Sequence, residues 1–476
     1  MDKEKPDQWK EEDYSGVLKG SKAILWTAFL FCAAVYIFDN HGKRKPRTAL
    51  PNSSASLVLP ADGDHKGQMP SSMDQPSSVS EIQDVDKISR FLNLLDQGAS
   101  LDRVVRIGYF STSGNGFDRI SSRMRQRLQP RYGDGGKGFM TASRGWKYHR
   151  HQDIEWKHSP NWRAFTVVSG KDEKGAYGLG GVKSVNVKSA TSEFTMIDAQ
   201  RDEYVPGTSF SKLSVYYASQ RRYGHFDLFL DDRRVRRVAT KDEKAQDKVW
   251  ELYDLKDVKK VKLKTSRSPV SLYGIAFENP QGLVIDGLMF VGLSVRQLNN
   301  FNRKHLKRQL MQRKHDLYVF SFGENEAYFD LDAKGMARFE RDYSAFVKYI
   351  KQTTHADCLV ISIKDIGVRT MRGIATRPGV GKVVAATQRI AEQCGCAYFN
   401  LFEALGGEGT MAEWVASGKK LVSPDLGHLY DKGAEKVGDV ISDAVLSALD
   451  PAPPQKNRTK GLVIAPPSLP AELRKR

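Results

Sequence analysis

The chain has 476 residues, of which 40% are hydrophobic, enough to build more than one buried core. A formal net charge of +18 makes its surface attractive to polyanions such as acidic glycan, anionic lipid or nucleic acid. No zinc-finger spacing, RNA-binding aromatic signature or Walker loop occurs, which sets nucleic acid aside as a partner.

In chain order, the first feature is an uninterrupted apolar run at residues 23–38, AILWTAFLFCAAVYIF. It is a little shorter than the roughly 20 residues that normally cross a bilayer, and Gly20, Ser21 and some bilayer thinning would make up the difference. A cleaved signal peptide competes with this reading. Bulky Val35, Tyr36, Ile37 and Phe38 follow the small residues, however, and Phe31 precedes Cys32 where a lipoprotein signal needs a small side chain. The expectation is an uncleaved transmembrane signal anchor, with 1–22 as an N-terminal cytoplasmic segment. Lysines before the run and Lys43, Arg44, Lys45 and Arg47 after it leave the orientation undecided by charge. Residues 39–84, rich in Ser, Pro, Asp and Gly, suit a flexible linker.

Helical spacing at Ile88, Phe91, Leu92, Leu94 and Leu95 is followed by a strand over Val104–Phe110. A Ser/Gly turn then leads into an amphipathic helix over 117–129, and Tyr132-Gly-Asp-Gly-Gly-Lys-Gly138 stops it. Between 141 and 281 the texture changes to short alternating runs, among them Leu213–Tyr217, Phe226–Leu230, Val261–Lys264 and Val270–Phe277. That pattern favours an antiparallel β-sandwich or jelly roll. Trp146, Tyr148, Trp156 and Trp162 lie there among basic and histidine residues, either as core or as a sugar-stacking set.

From 282 to 449 strands and helices alternate: strands at Leu283–Val291, Leu317–Phe322, Cys358–Ile363 and Ala397–Leu401, helices at Val295–Arg313, Met336–Lys351, Val383–Gln393 and Asp431–Leu449. Alternation of this kind argues a parallel sheet covered by helices on both faces. Residues 85–140 supply its first strand and helix, so the β segment is expected to be an insertion. The basic run Arg303-Lys-His-Leu-Lys-Arg308, continuing to Arg313 and Lys314, reads as a solvated helix face or as a contact for anionic glycan or lipid headgroups. Residues 450–476, rich in Pro and Lys/Arg, are expected to be a disordered tail. Four cysteines make no disulfide framework: Cys32, Cys358, Cys394 and Cys396 read as buried small side chains, with a Cys394–Cys396 bridge as the alternative. A metal site would need further thiols or spaced histidines, and none is nearby.

Two short stretches carry chemistry. A serine on the strand-to-helix turn at 111–114 can present its hydroxyl where backbone N–H groups favour developing negative charge. Near the other end, Ser423-Pro-Asp425-Leu-Gly-His428 lets a carboxylate hold one imidazole nitrogen while the other faces a serine as its base. Taken singly, the serines are ordinary helix caps, and His428 an ordinary surface histidine. A dinucleotide-binding reading of Gly114-Asn-Gly116 fails, because Arg119 stands where the fingerprint needs its third glycine.

With these residues in view, the chain resembles the SGNH, or GDSL-type, hydrolases, and within them the envelope-facing branch that acts on acetylated glycans. Gly323-Glu-Asn325-Glu326 and Asp425-Leu-Gly-His428 match two of the family's four blocks. Asp118-Arg119, Arg125–Gln129 and Tyr132–Gly136 look like the sequence that follows the nucleophile in that branch, and counting back places Ser113 at the nucleophile. Ser111 and Thr112 then replace the usual Gly and Asp. Gly292, in Met289-Phe-Val-Gly-Leu-Ser294, is similar to the glycine donor, with Val291 where an asparagine is common. Likeness extends over Cys394–Phe399, Gly406–Gly409 and Trp414.

The resemblance implies a three-layer α/β/α flavodoxin-like SGNH domain carrying the inserted sandwich. It implies Ser113 as nucleophile, His428 as base, Asp425 as its orienter, and an oxyanion hole from the Ser113 N–H, the Gly292 N–H and Asn325. No cofactor and no metal is required. The expected function is removal or transfer of O-acetyl groups on an envelope or extracellular polysaccharide through an acyl-serine, with an acetylated or acidic polysaccharide as substrate. Expected with it are a single-pass inner-membrane protein whose catalytic domain is periplasmic, and a membrane partner protein that donates acyl groups. The alternative is an inactive SGNH-fold polysaccharide-binding or assembly protein, signalled by Ser111 and Thr112.

Overall fold

A computed structural model describes residues 81–98, 101–147, 149–197 and 209–450. The expected anchor, most of the linker, Tyr148 and the tail lie outside these residues. Among the described residues no helix is long and apolar enough to cross a membrane.

Five parallel strands form the central sheet, in the spatial order Gly282–Met289, Val104–Ser111, Leu317–Ser321, Asp357–Ile361, Ala397–Phe399. Counted along the chain within this sheet, the order is 2-1-3-4-5, that of flavodoxin-like folds, whose ligand crevice lies outside the strand C-termini where the order reverses. Here the reversal falls beside Val104–Ser111. That strand is buried on both faces, as a central parallel strand must be. Val105, Ile107 and Tyr109 enter one core with the helices Ser89–Asp96, Arg119–Tyr132 and Asp431–Leu449. Phe110 enters the other, with the helices Arg303–Arg313, Ala333–Thr354 and Gly379–Cys394. Ser111 pairs with both Met289 and Ser321, so three strands end level and their following loops meet.

Between the first two strands in sequence lie two antiparallel sheets. One has the order Gln246–Leu252, Lys212–Ser219, Ser271–Glu278, Val182–Asn186, Trp162–Thr166, with Gly138–Met140 also on Ser271–Glu278. The other runs Ile154–His158, Thr191–Met196, Lys260–Thr265, His225–Leu230, Arg233–Ala239. Phe194, Phe226, Leu263, Val215 and Phe277 fill the space between them. The outer side of the first sheet, through Phe139, Tyr216 and Tyr273, shares a core with the parallel sheet. Charges lock the same junction: Arg313 pairs with Asp286 at 2.6 Å and Glu278 at 2.7 Å, and Arg106 with Glu278 at 2.7 Å. Buried pairs of this kind add little net stability when intact, yet losing one member strands a charge.

Several expectations shift. Order begins before Val85: Ile82 is buried, and Gln83 pairs with Tyr398 on the sheet's edge strand, which otherwise leaves backbone groups unpaired. Cys358 and Cys396 form a disulfide, because adjacent parallel strands bring their Cα atoms to 4.9 Å, while Cys394 stays free and buried. Trp156 and Trp162 are sandwich core, which removes them as sugar-stacking surfaces, and Trp146 packs half-buried against the shared core. The basic helix is divided: His305 and Arg308 pair with Asp247 and Arg313 is buried, while Lys304, Lys307 and Lys314 face solvent.

Candidate active site

After Ser111 the chain does not run straight into a helix. Ser113–Asp118 is an irregular 3-10 turn, with Phe117 and Asp118 at positive φ, and the helix starts at Arg119. Asn115 supplies what such a turn lacks. Its Oδ1 accepts from the backbone N–H of Ile120 at 2.9 Å and of Ser121 at 3.1 Å, capping the helix from inside the turn. Asp118 is held beneath by Arg125, Lys137 and Ser121, with His151 Nδ1 at 3.2 Å. Ser113 is thereby fixed above a rigid base and stays partly exposed.

The other half is a closed loop at 421–430. Val422 bridges to Leu429, the Ser423 N–H donates to the His428 carbonyl at 2.9 Å, and Leu426 turns the chain at φ 61°. Inside it, Asp425 Oδ1 accepts the backbone N–H of Gly427 and of His428, each at 3.0 Å, and the Ser423 hydroxyl. Burial alone would raise this carboxyl, but His428 and Ser423 hold it well below the usual range, so it is ionised.

Packing of the two helices behind these loops brings the halves together. Helix Arg119–Tyr132 lies against Asp431–Leu449, with Arg123 on Asp439 at 2.7 Å, and Arg119 reaching Asp431 at 2.6 Å and the Leu429 carbonyl at 2.8 Å. The result is a continuous relay. Ser113 Oγ lies 3.0 Å from His428 Nε2, and His428 Nδ1 lies 2.9 Å from Asp425 Oδ2. With Nδ1–H donating to the carboxylate, Nε2 is the atom placed to accept the serine proton. The His428 side chain is 37% exposed, so a bulky ester can approach.

Gly292 stands in the turn after one flanking strand, and Asn325 in the short helix Glu324–Tyr328 after the other. Asn325 Nδ2 donates to the Leu293 carbonyl at 2.7 Å, which ties one loop to the other. Glu326 adds a second tie, its Oε1 accepting from Val295 N–H at 2.7 Å and Ser294 Oγ at 2.9 Å; burial pushes this carboxyl up. Gly292 has φ 78° and sits in an exposed turn with nothing near the position of a Cβ. Glu324, which the sequence offers only as a neighbour of Asn325, proves central. Its Oε2 accepts from Thr112 Oγ1 at 3.1 Å and its Oε1 lies 3.2 Å from Lys364 Nζ. Burial on its own would raise Glu324, but Lys364 and His428 keep it below the ordinary glutamate value. Among the described residues no cluster of His, Cys, Asp and Glu is suited to hold a metal ion.

A five-stranded parallel sheet in this order is a flavodoxin-like fold, one that the SGNH-type hydrolases also use. Among solved structures, a peptidoglycan O-acetylesterase matches with a TM-score of 0.62 at 20% identity, over 76% of this chain and 97% of that one. A salicylyl-acyltransferase from a tetracycline biosynthetic pathway (TM-score 0.28, 14% identity, 66% of this chain and 98% of that one) and an acetyl xylan esterase (0.27, 16%, 35% and 81%) are more distant. No protein-family model matches the sequence, and no curated protein does.

Proposed function

We propose that this protein is a serine-dependent ester hydrolase or acyltransferase that takes O-acetyl groups from an envelope polysaccharide. The observation that carries the reading is the Ser113–His428–Asp425 relay, closed by hydrogen bonds at both joints. In the proposed cycle Ser113 Oγ attacks the acetyl carbonyl as its proton passes to His428 Nε2. The tetrahedral oxyanion is met by the Ser113 and Gly292 N–H groups and the Asn325 amide. His428 then returns the proton to the departing sugar oxygen, leaving acetyl-Ser113. Water, or a second sugar hydroxyl, attacks the acyl-serine with His428 again as base, giving esterase or transferase respectively.

The named substrate of the peptidoglycan O-acetylesterase, a cell-wall glycan ester, is the substrate class proposed here. A bulky, polyanionic polymer suits an exposed base and a net charge of +18. An envelope location agrees with the Cys358–Cys396 disulfide, since such bonds persist in oxidising compartments. The run at 23–38 would tether the domain to the inner membrane, facing the periplasm, near a membrane protein that supplies or accepts acyl groups. Ser111 and Thr112 do not favour the inactive scaffold, because the turn they form still delivers Ser113 to His428. Incubation with p-nitrophenyl acetate and with O-acetylated peptidoglycan tests the proposal. Turnover of both should fall by roughly 10⁴–10⁶ in Ser113→Ala; glycan binding with no turnover in the wild type would leave the scaffold reading instead.

A further inference from the structure

The nucleophile turn lacks the carboxylate that precedes the serine in the Gly-Asp-Ser pattern; Thr112 stands there. The folded chain nevertheless holds a carboxylate at that spot. Glu324, the first residue of the short helix Glu324–Tyr328 that follows Leu317–Ser321, reaches the turn, where its Oε2 accepts from Thr112 Oγ1 at 3.1 Å. The fit is close: a Cβ on Gly114 would lie 2.6 Å from both carboxylate oxygens, so any larger residue at 114 would displace the Glu324 carboxylate from this place. On its other side Glu324 meets Lys364, whose side chain is 3% exposed. Lys364 Nζ donates onward to the Gly427 carbonyl, the peptide just before His428. A continuous polar strut therefore runs Thr112, Glu324, Lys364, Gly427, from the residue before the serine to the residue before the base.

We propose that Glu324 is a positioning residue that replaces, from a different strand end, the carboxylate missing at 112, and that with Lys364 it sets the Ser113–His428 distance. This rests on the reading of Ser113 and His428 as nucleophile and base. A pair serving only to fill space would be a poor choice, because a buried ion pair is often no more stabilising than apolar residues of the same volume. A strut between two catalytic loops gains from polar geometry, since a displacement of about 1 Å in such a site can cost about 10² in rate.

The strut is tested by comparing kcat and KM for p-nitrophenyl acetate in the full chain and in Glu324→Gln, Thr112→Val, Thr112→Asp and Thr112→Asp/Glu324→Gln, with melting curves for each. Glu324→Gln should lose about 10² in kcat with KM near wild type. Thr112→Val, which removes only the hydroxyl and keeps the ion pair, should lose about tenfold and stay folded whatever Glu324→Gln does. Thr112→Asp alone sets two carboxylates against each other and should be impaired, whereas the double variant returns the carboxylate by the other route and should recover most of the lost kcat. Glu324→Gln within about threefold of wild type, or a double variant no better than Glu324→Gln, overturns the strut while Ser113-dependent turnover persists. If wild-type turnover does not depend on Ser113, the catalytic reading fails and the strut falls with it.

Discussion

Asn325 shows how a single side chain divides between structure and chemistry. One amide hydrogen is spent on the Leu293 carbonyl, which ties two loops together, and the proposed mechanism assigns the second to the oxyanion. Asn325→Ala should lower kcat on p-nitrophenyl acetate by about 10²–10³ while acyl-serine chemistry persists; an unchanged kcat would remove Asn325 from the oxyanion hole. The relay residues were legible in the sequence because the Asp425–His428 spacing is local and the turn residues are contiguous. Glu324 and Lys364 were not. Lys364 finds its partners 40 positions back and 63 positions on, so no spacing rule marks it. Ser423 had a local signal, lying two residues before Asp425, but serine in a turn is too common to single out.

Among elements, the pairing of Arg119–Tyr132 with Asp431–Leu449 does most to join the two halves of the site. Gly438 makes the approach possible: a Cβ there would come within 2.6 Å of Arg123 Cβ and 3.1 Å of the Ile120 carbonyl. Gly438→Val should push the helices apart, lowering the melting temperature by several degrees and kcat/KM by at least tenfold, because the loop bearing His428 immediately precedes the second helix. Normal activity would mean that the loop is positioned without the helix. The parallel strands were legible as near-continuous apolar runs, and the closing helix spans the residues its periodicity marks. Boundaries failed where a residue does something its type does not advertise. Phe117 and Asp118 adopt positive φ and delay the helix to Arg119; the run expected as one helix over 295–313 splits, since Phe301 and Asn302 are extended and Asn302 caps a second helix at Arg303.

At the scale of the whole molecule, the junction between sandwich and parallel sheet sets the response to acid. Burial pushes His149, His151 and His315 below the ordinary histidine value, so the unfolded chain takes up protons that the folded one refuses. Stability contributed by these groups is present above about pH 6.5 and is lost as pH falls below it. Asp118, Asp153, Glu278 and Asp286 would be raised by burial but are held low by Arg125, Lys137 or Arg313, which adds a second loss below about pH 4. Calorimetry should therefore show a melting temperature that declines steadily from about pH 7.5 to 4.5; a flat or rising profile would contradict the burial of these histidines. The change of periodicity over 141–281 was legible, but the charges that clamp this segment to the parallel sheet were not, since Arg125 and Asp153 or Arg313 and Glu278 come together only in the fold. The account as a whole turns on a covalent acetyl-serine. Rapid acid quench of the protein with an acetyl ester, followed by peptide mass spectrometry, should find the acetyl group on Ser113. It should accumulate when the acceptor is withheld and be absent from Ser113→Ala, whereas acetylation at another residue, or turnover undiminished in Ser113→Ala, would contradict the mechanism.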